Sequence, residues 1–271
     1  MDQSNCETIK IVAVLVLYNE CLETSATWNT LFSSSPLNVH WLIYNNGPSP
    51  VEIPEECGIA YQESLDNSGL VPAYRAGLEM AKNINATHLL LLDQDTLFPR
   101  NFWDLQMACL ETFPGESLYV PTVFGERVML SPNTFDRRRG IAQATSYEKL
   151  PNPLSLASFS IVNSGALFTL AAFELACTET VALLFLDNID NAMTAMLWQN
   201  GISARWFHAE VHQKFSGEKL NPQTDYQRFK IWQKDARQFG EITGCRFWQE
   251  FWILKRKFHY TLLSKNLSYF R

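Results

Sequence analysis

The stretch His88-Leu89-Leu90-Leu91-Leu92-Asp93-Gln94-Asp95-Thr96 decides the fold. Four consecutive leucines leave no polar face. This predicts a strand from His88 to Leu92 buried on both sides, as in a parallel sheet with helices on each face. Asp93 and Asp95 follow at its carboxyl end, and ligands of open parallel sheets sit beyond that end. Two carboxylates one residue apart can both reach one hard cation. Mg2+ or Mn2+ takes one or two carboxylates together with substrate phosphate oxygens. The competing reading is two Asp that solvate a strand-to-loop turn.

Upstream, Ile9 to Leu17 is a nearly continuous apolar run ended by Tyr18-Asn19-Glu20, a second buried strand, with a helix from Trp28 to Phe32 after it. Val39 to Tyr44 is a third strand, stopped by Asn45-Asn46-Gly47-Pro48, and Tyr61 to Ser64 a fourth. Leu70 to Lys82 reads as a helix with Pro72 in its first turn and Ala73, Ala76, Gly77 and Met80 on its packing face. Downstream, Asn101 to Phe113 looks helical and Leu118 to Phe124 extended. Gly125 to Pro153 is a polar loop carrying Arg137-Arg138-Arg139. Phe159 to Leu170 resumes strand character, Leu175 to Val181 and Ala192 to Gln199 read as helices, and Ser203 to Val211 as a late strand. The last fifty residues are helical and aromatic. Strands alternating with helices imply an α/β fold.

The chain has 271 residues and a formal charge of −6 from 22 basic and 28 acidic residues. Its 46 % apolar content supports a sizeable core and excludes global disorder. The acidic balance argues against a nucleic-acid partner. No two of Cys6, Cys21, Cys57, Cys109, Cys177 and Cys245 lie within four residues, so no zinc ribbon or redox pair is encoded and reduced thiols are expected. No basic cluster precedes the first apolar run and no run approaches eighteen apolar residues, so a cytoplasmic protein is expected.

The order of motifs is a second line of reading. Val14-Leu15-Val16-Leu17-Tyr18-Asn19-Glu20, Ile43-Tyr44-Asn45-Asn46-Gly47, Asn67-Ser68-Gly69-x-x-x-Ala73-x-x-x-Gly77 and Asp93-Gln94-Asp95-Thr96 are followed by Asn163-Ser164-Gly165, Phe185-Leu186-Asp187-Asn188-Ile189-Asp190 and Val211-His212. Over residues 9 to 217 this series resembles family 2 glycosyltransferases of the GT-A fold, in particular bacterial rhamnosyltransferases of surface-polysaccharide assembly. The resemblance implies a Rossmann-like, mainly parallel sheet flanked by helices. It divides residues 1–217 into a nucleotide-sugar-binding half (about 1–100) and an acceptor half (about 101–217), with a helical extension over 218–271.

It also implies roles. Tyr18, Asn19 and Asn45 would hold the nucleoside, although the family usually has Asp where Asn45 stands. Asn67 and Gly69 would open a helix whose amides face a diphosphate, with Arg75 as a further phosphate contact. Asp93, Asp95 and His212 would hold Mn2+ or Mg2+. Asn163, Ser164 and Gly165 would line the acceptor site. Asp190 would be the base that removes the acceptor proton and Asp187 would position it, unless either Asp merely caps the following helix. The family often has Glu and Arg where Ala192 and Met196 stand. The substrates implied are a nucleoside-diphosphate sugar, dTDP-rhamnose first and UDP-sugars next, and a lipid-linked or oligosaccharide acceptor.

Two other classes remain open. One is a non-catalytic nucleotide-sugar or carbohydrate-binding module on a GT-A scaffold. The other is a haloacid dehalogenase-type phosphatase, whose strand also ends in Asp-x-Asp but needs Thr or Val where Leu97 stands. The tail adds a partner. Residues 246–271 hold Arg246, Lys255, Arg256, Lys257, Lys265 and Arg271 against Glu250, a balance of +5. Phe247, Phe251, Leu254 and Phe258 recur there at helical spacing. Such a helix suits an anionic membrane surface at the inner face of the plasma membrane. The alternative is a helix packed on the domain or in a homodimer.

Overall fold

The computed structural model describes residues 9–54, 58–213, 226–264 and 269. Cys6, Cys57, Lys265, Phe270, Arg271 and the boundary placed at residue 217 lie outside them.

The first buried strand, β1 (Ile11–Leu17), is flanked in parallel by β2 (Val39–Asn45) and β4 (His88–Asp93), with β3 (Ile59–Glu63) beyond β2. All seven β1 side chains are buried. Val12, Val14 and Val16 enter one core layer, and Ile11, Ala13, Leu15 and Leu17 the other. Leu89 and Leu91 divide from Leu90 and Leu92 in the same way. Both faces are dry, which is why period-2 side chains read as an unbroken apolar run. Each fully buried Val or Leu contributes about 1.5–3 kcal/mol.

The sheet continues from β4 through β11 (Leu167–Thr169) and β6 (Leu118–Phe124) to β12 (Arg205–Gln213) and the short β5 (Thr96–Leu97). β11 runs antiparallel to both neighbours, β12 is parallel to β6, and β5 is antiparallel to β12. One face is covered by α2 (Leu70–Asn83), α4 (Leu170–Ala176) and α5 (Ile189–Gln199), the other by α1 (Ala26–Leu31) and α3 (Phe102–Thr112). The mainly parallel sheet between two helical layers is the architecture expected from sequence. Gly77 sets how closely α2 lies on β1, since a Cβ there would stand 2.2 Å from Val14 Cγ2.

Three local expectations are corrected. Gly125 to Pro153 is not a plain loop: β7 (Met129–Ser131) pairs with β6, and β8 (Asn133–Asp136) and β9 (Ile141–Gln143) form a second sheet with β10 (Phe159–Ser160). Asn163-Ser164-Gly165 is not strand but the turn between β10 and β11. The helix read over Leu175 to Val181 lies earlier, at Leu170–Ala176, because the Thr169 hydroxyl accepts from the Ala172 amide and starts it.

The C-terminal helices are α6 (Tyr226–Thr243) and α7 (Arg246–Ser264). They are joined to the domain. Phe239 of α6 belongs to the main core, with its ring 6.3 Å from that of Phe135. Gly140, in the turn between β8 and β9, has no room for a Cβ beside Gln249 of α7, and Trp252 Nε1 donates to the Arg139 carbonyl at 3.3 Å.

Candidate active site

The carboxyl tips of β2, β1 and β4 stand side by side and present Asn45, Tyr18-Asn19 and Asp93. Beside the first two lies a cleft of about 520 Å3, lined by Asn19, Glu20, Asn45, Gly47, Ser49 and Glu52 among others. Asn19 has a positive φ of 52°. Asn45 is buried and its amide is fully engaged in its own turn. Oδ1 accepts from the Gly47 amide at 2.8 Å, and Nδ2 donates to the Ser49 carbonyl at 2.8 Å and to the Tyr61 hydroxyl at 3.2 Å. With a carboxylate here, the oxygen in place of Nδ2 would face the Ser49 carbonyl acceptor to acceptor, so Asn suits this turn better than Asp. Asn45 lines the cleft through this self-bonded turn.

The Asp93–Asp95 turn is held from three sides. Gln94, the spacer of the motif, grips the β1 tip: its Oε1 accepts from the Tyr18 amide at 2.6 Å and its Nε2 donates to the Tyr18 carbonyl at 3.2 Å. Ser25 and Thr27 of the α1 start donate to the carbonyls of Gln94, Asp93 and Thr96. Ser164 Oγ accepts from the Asp93 amide at 3.3 Å and shares a 2.8 Å hydrogen bond with Thr96 Oγ1. The Asp93 carboxylate accepts from Gln213 Nε2 at 2.8 Å.

Asp190 is brought to the same place from 97 positions away. It lies in the first turn of α5, while the N-cap position is Asn188, in the left-handed region at φ 61° and without a side-chain cap bond. The capping reading of Asp187 and Asp190 is therefore not what the helix shows. Burial pushes the Asp190 carboxyl up to about 7, the Asp93 charge pushes it further the same way, and a hydrogen bond from the Asn163 backbone N–H pulls it down. Burial likewise raises Asp93 to about 6, helped by the Asp95 charge and opposed by the Gln213 hydrogen bond. Tyr74 of α2 is buried against the two carboxylates, and its phenol is raised well above its ordinary value by burial and then by Asp93 and Asp190. The carboxylates thus form one electrostatic unit, in which an oxygen-seeking divalent cation would replace repulsion with attraction. The donor set of Asp93 and Asp95 fits such an ion.

The other expected residues fall into place unevenly. His212 is exposed, its backbone pairs with Leu97, and its ring lies 5.8 Å from that of Phe124; the neighbouring Gln213 is the residue that reaches Asp93. Among the described residues, no three His, Cys, Asp or Glu are grouped as a metal site, so the set Asp93, Asp95 and His212 is not assembled. Of the amides at the start of α2, Pro72 has no hydrogen and Leu70 donates to the Phe185 carbonyl at 3.2 Å. Fewer are left for a diphosphate than the Asn67-Ser68-Gly69 motif implies. Asn67 turns at φ 49° and Gly69 at φ 87°, and the Gly69 carbonyl accepts from Asn46. Arg75 is ion-paired with Glu179 at 3.0 Å and its other nitrogen contacts are on that same acid and the Cys177 carbonyl. Asn163 is buried with Nδ2 on Met193 Sδ, and Gly165 leaves room for Pro121. Asp187 is paired with Arg228 of α6.

Sequence reasoning missed Tyr74, Gln94, Gln213, Arg228 and Asp235. Gln94 carried a signal as the central residue of the motif, and Arg228 and Asp235 carried one only in their helical spacing on α6; Tyr74 and Gln213 carried none.

No protein-family model and no curated protein matches the sequence. Solved structures do. S. aureus TarS residues 1–349 aligns with a TM-score of 0.54 at 13 % identity, covering 90 % of this chain and 72 % of that one. GalNAc-T7, crystallised with UDP, GalNAc and Mn2+, aligns with a TM-score of 0.57 at 12 % identity, covering 91 % of this chain and 55 % of that one. TarS 1–349 in complex with UDP gives 0.53 and 12 %, over 85 % and 65 %. By sheet order, helical layers and these likenesses, the chain has the GT-A glycosyltransferase fold.

Proposed function

We propose that the chain is an inverting glycosyltransferase that moves a sugar from a nucleoside-diphosphate donor to a hydroxyl of a glycan acceptor in bacterial surface-polysaccharide assembly. The observation that carries this reading is the convergence of Asp190 with Asp93 and Asp95 at the carboxyl edge of the sheet, next to the cleft of Asn19 and Asn45. The cleft takes the nucleoside. Asp93 and Asp95 would hold a divalent cation, which would offset the diphosphate charge. Asp190, raised toward neutrality, takes the proton of the acceptor hydroxyl; the oxygen attacks the anomeric carbon, and the nucleoside diphosphate leaves with the bonding pair. The motif resemblance supports dTDP-rhamnose, and the UDP in GalNAc-T7 and TarS crystals supports UDP-sugars. A general base poised beside paired carboxylates favours an enzyme over a binding module.

The test is nucleotide release from dTDP-rhamnose and a panel of UDP-sugars, with Mn2+, Mg2+ or excess chelator. Metal-dependent release lost in Asp190→Asn supports the reading. Release from none of the donors, or full activity in chelator, overturns it.

For α7 the reading is a peripheral membrane helix. Gln249, Ile253 and Tyr260 bury one face, while Phe247, Phe251, Leu254, Phe258 and Leu262, 46–77 % exposed, form a stripe on the opposite face. At about 100° per residue, Lys255 and Lys257 flank that stripe on either side. The arrangement matches an anionic headgroup layer over an apolar interior. No helix of the described residues is long and apolar enough to cross a membrane.

A further inference from the structure

The segment that carries the base is held by a part of the chain with no motif of its own. Phe185, Leu186 and Asp187 donate their three consecutive backbone N–H groups to one carboxylate, Asp235 of α6, at 3.0, 2.8 and 2.8 Å. Asp235 is 0 % exposed. A buried carboxylate is costly unless hydrogen-bonded, and here the bonds come from a segment about fifty residues away. Seven residues earlier on α6, and so on the same face, Arg228 grips the Asp187 carboxylate with both terminal nitrogens, one of them at 2.7 Å. On its other side the segment is fixed to α2: the Phe185 carbonyl accepts from the Leu70 amide, and a Cβ on Gly69 would stand 2.6 Å from that oxygen. From this double anchorage the chain turns through Asn188 into α5 and presents Asp190.

We propose that Asp235 and Arg228 are positioning residues that fix the Phe185–Asp187 segment, and through it set Asp190 against the donor. This rests on the reading of Asp190 as the base. The two arms act differently. Asp235 orients peptide planes, since its anion can accept three N–H groups where a carboxamide offers one oxygen and turns two donors toward the same amides. Arg228 engages the Asp187 carboxylate in an ion pair, which leaves Asp190 as the carboxylate to take the proton. A displacement of about 1 Å in such a group costs up to ~10²-fold in rate.

The experiment compares full-length wild type, Asp235→Asn, Asp235→Glu, Arg228→Gln and a packing control, Phe173→Leu, in the core on α4. Turnover is read as nucleotide release from whichever UDP-sugar or dTDP-rhamnose the wild type uses. Amide hydrogen exchange of the peptide spanning 184–190 is read in parallel and needs no substrate. Asp235→Asn is expected to lower kcat about 10- to 100-fold with the donor KM within threefold, and to speed exchange at 185–187. Asp235→Glu is expected to restore part of both, and Arg228→Gln to lower kcat with less effect on exchange. Phe173→Leu is expected to lower the melting temperature while keeping kcat. If Asp235→Asn loses stability but keeps turnover, or if exchange at 185–187 does not change, the proposal is overturned. A wild type that releases no nucleotide would count against the functional reading alone, because the exchange arm still decides the anchorage.

Discussion

Replacing Asp190 by Asn should make the metal-free protein more stable at the pH where it becomes less active. Asp190 is raised from an ordinary 3.8 to about 7 by burial and by Asp93. The folded state therefore keeps a proton on Asp190 up to about pH 7, while the unfolded chain loses it near pH 4. Between these values the folded state binds more protons, so stability falls as pH rises. The difference of about 3 units at 1.36 kcal/mol each gives about 4 kcal/mol, fully expressed above pH 7. Because Asp93 shares the repulsion and the site is partly open to water, about 2–4 kcal/mol is the expected range. Asn keeps the shape, accepts the Asn163 N–H and carries no charge. Urea denaturation with EDTA at pH 4, 6, 7 and 8.5 should then show Asp190→Asn and wild type alike at pH 4 and the variant more stable by that range at pH 8.5. Added Mn2+ should narrow the gap at high pH, because a cation at Asp93 and Asp95 stabilises the wild-type carboxylates. Sugar transfer by the variant should fall by ~10²–10⁴-fold. A variant less stable than wild type at pH 8.5, or a gap that widens toward acid, would refute the assignment of Asp190 as a desolvated carboxylate.

Other outcomes follow from single sites. His88 is buried and its imidazole is held down at about 4 from an ordinary 6.5, so the folded state stays neutral where the unfolded chain takes a proton. Stability should drop by about 3 kcal/mol as pH falls from 6.5 through 4, and His88→Gln should flatten that slope in urea titrations. His212→Ala should leave Mn2+ affinity within twofold while Asp95→Ala lowers it at least tenfold, as measured by calorimetry with UDP present; equal losses would restore a three-ligand site. Full-length protein should float with vesicles containing anionic lipid and lose that property in Phe251→Glu/Phe258→Glu. A double variant that floats normally would exclude the α7 stripe as the membrane face, and one that changes only the oligomeric state would assign the stripe to a homodimer.

What the sequence could disclose depended on where each signal originates. β1 and β4 are legible because both their faces are buried, so Ile11 to Leu17 and Leu89 to Leu92 are apolar throughout and the polar tips that follow mark the candidate site: Tyr18-Asn19 and Asp93-Gln94-Asp95. β7, β8 and β9 are three or four residues long. That is too short for alternation to stand out, and what holds them is tertiary: antiparallel partners, and Gln249 of α7 closing over Gly140. The same division runs through the site. Asp190 was found because its neighbours form a motif, yet the groups that fix its surroundings come from other elements. Gln213 lies 120 residues from the Asp93 it bonds, and Asp235 lies 48 to 50 from the amides it collects. In sequence, Gln233-Lys234-Asp235-Ala236-Arg237 looks like a solvated helix face. The distinguishing feature is a pattern of four residues, Arg228, Trp232, Asp235 and Phe239, at i, i+4, i+7 and i+11. A solvated stripe has no reason to alternate opposite charges with large aromatics, and a core stripe has no reason to include charges. A helix that does both is one that packs on the protein and, through its two charges, holds another segment in place. On the proposed reading of Asp190 as the base, α6 belongs to its scaffold, so a boundary drawn where the motif series ends would cut the proposed base from its support.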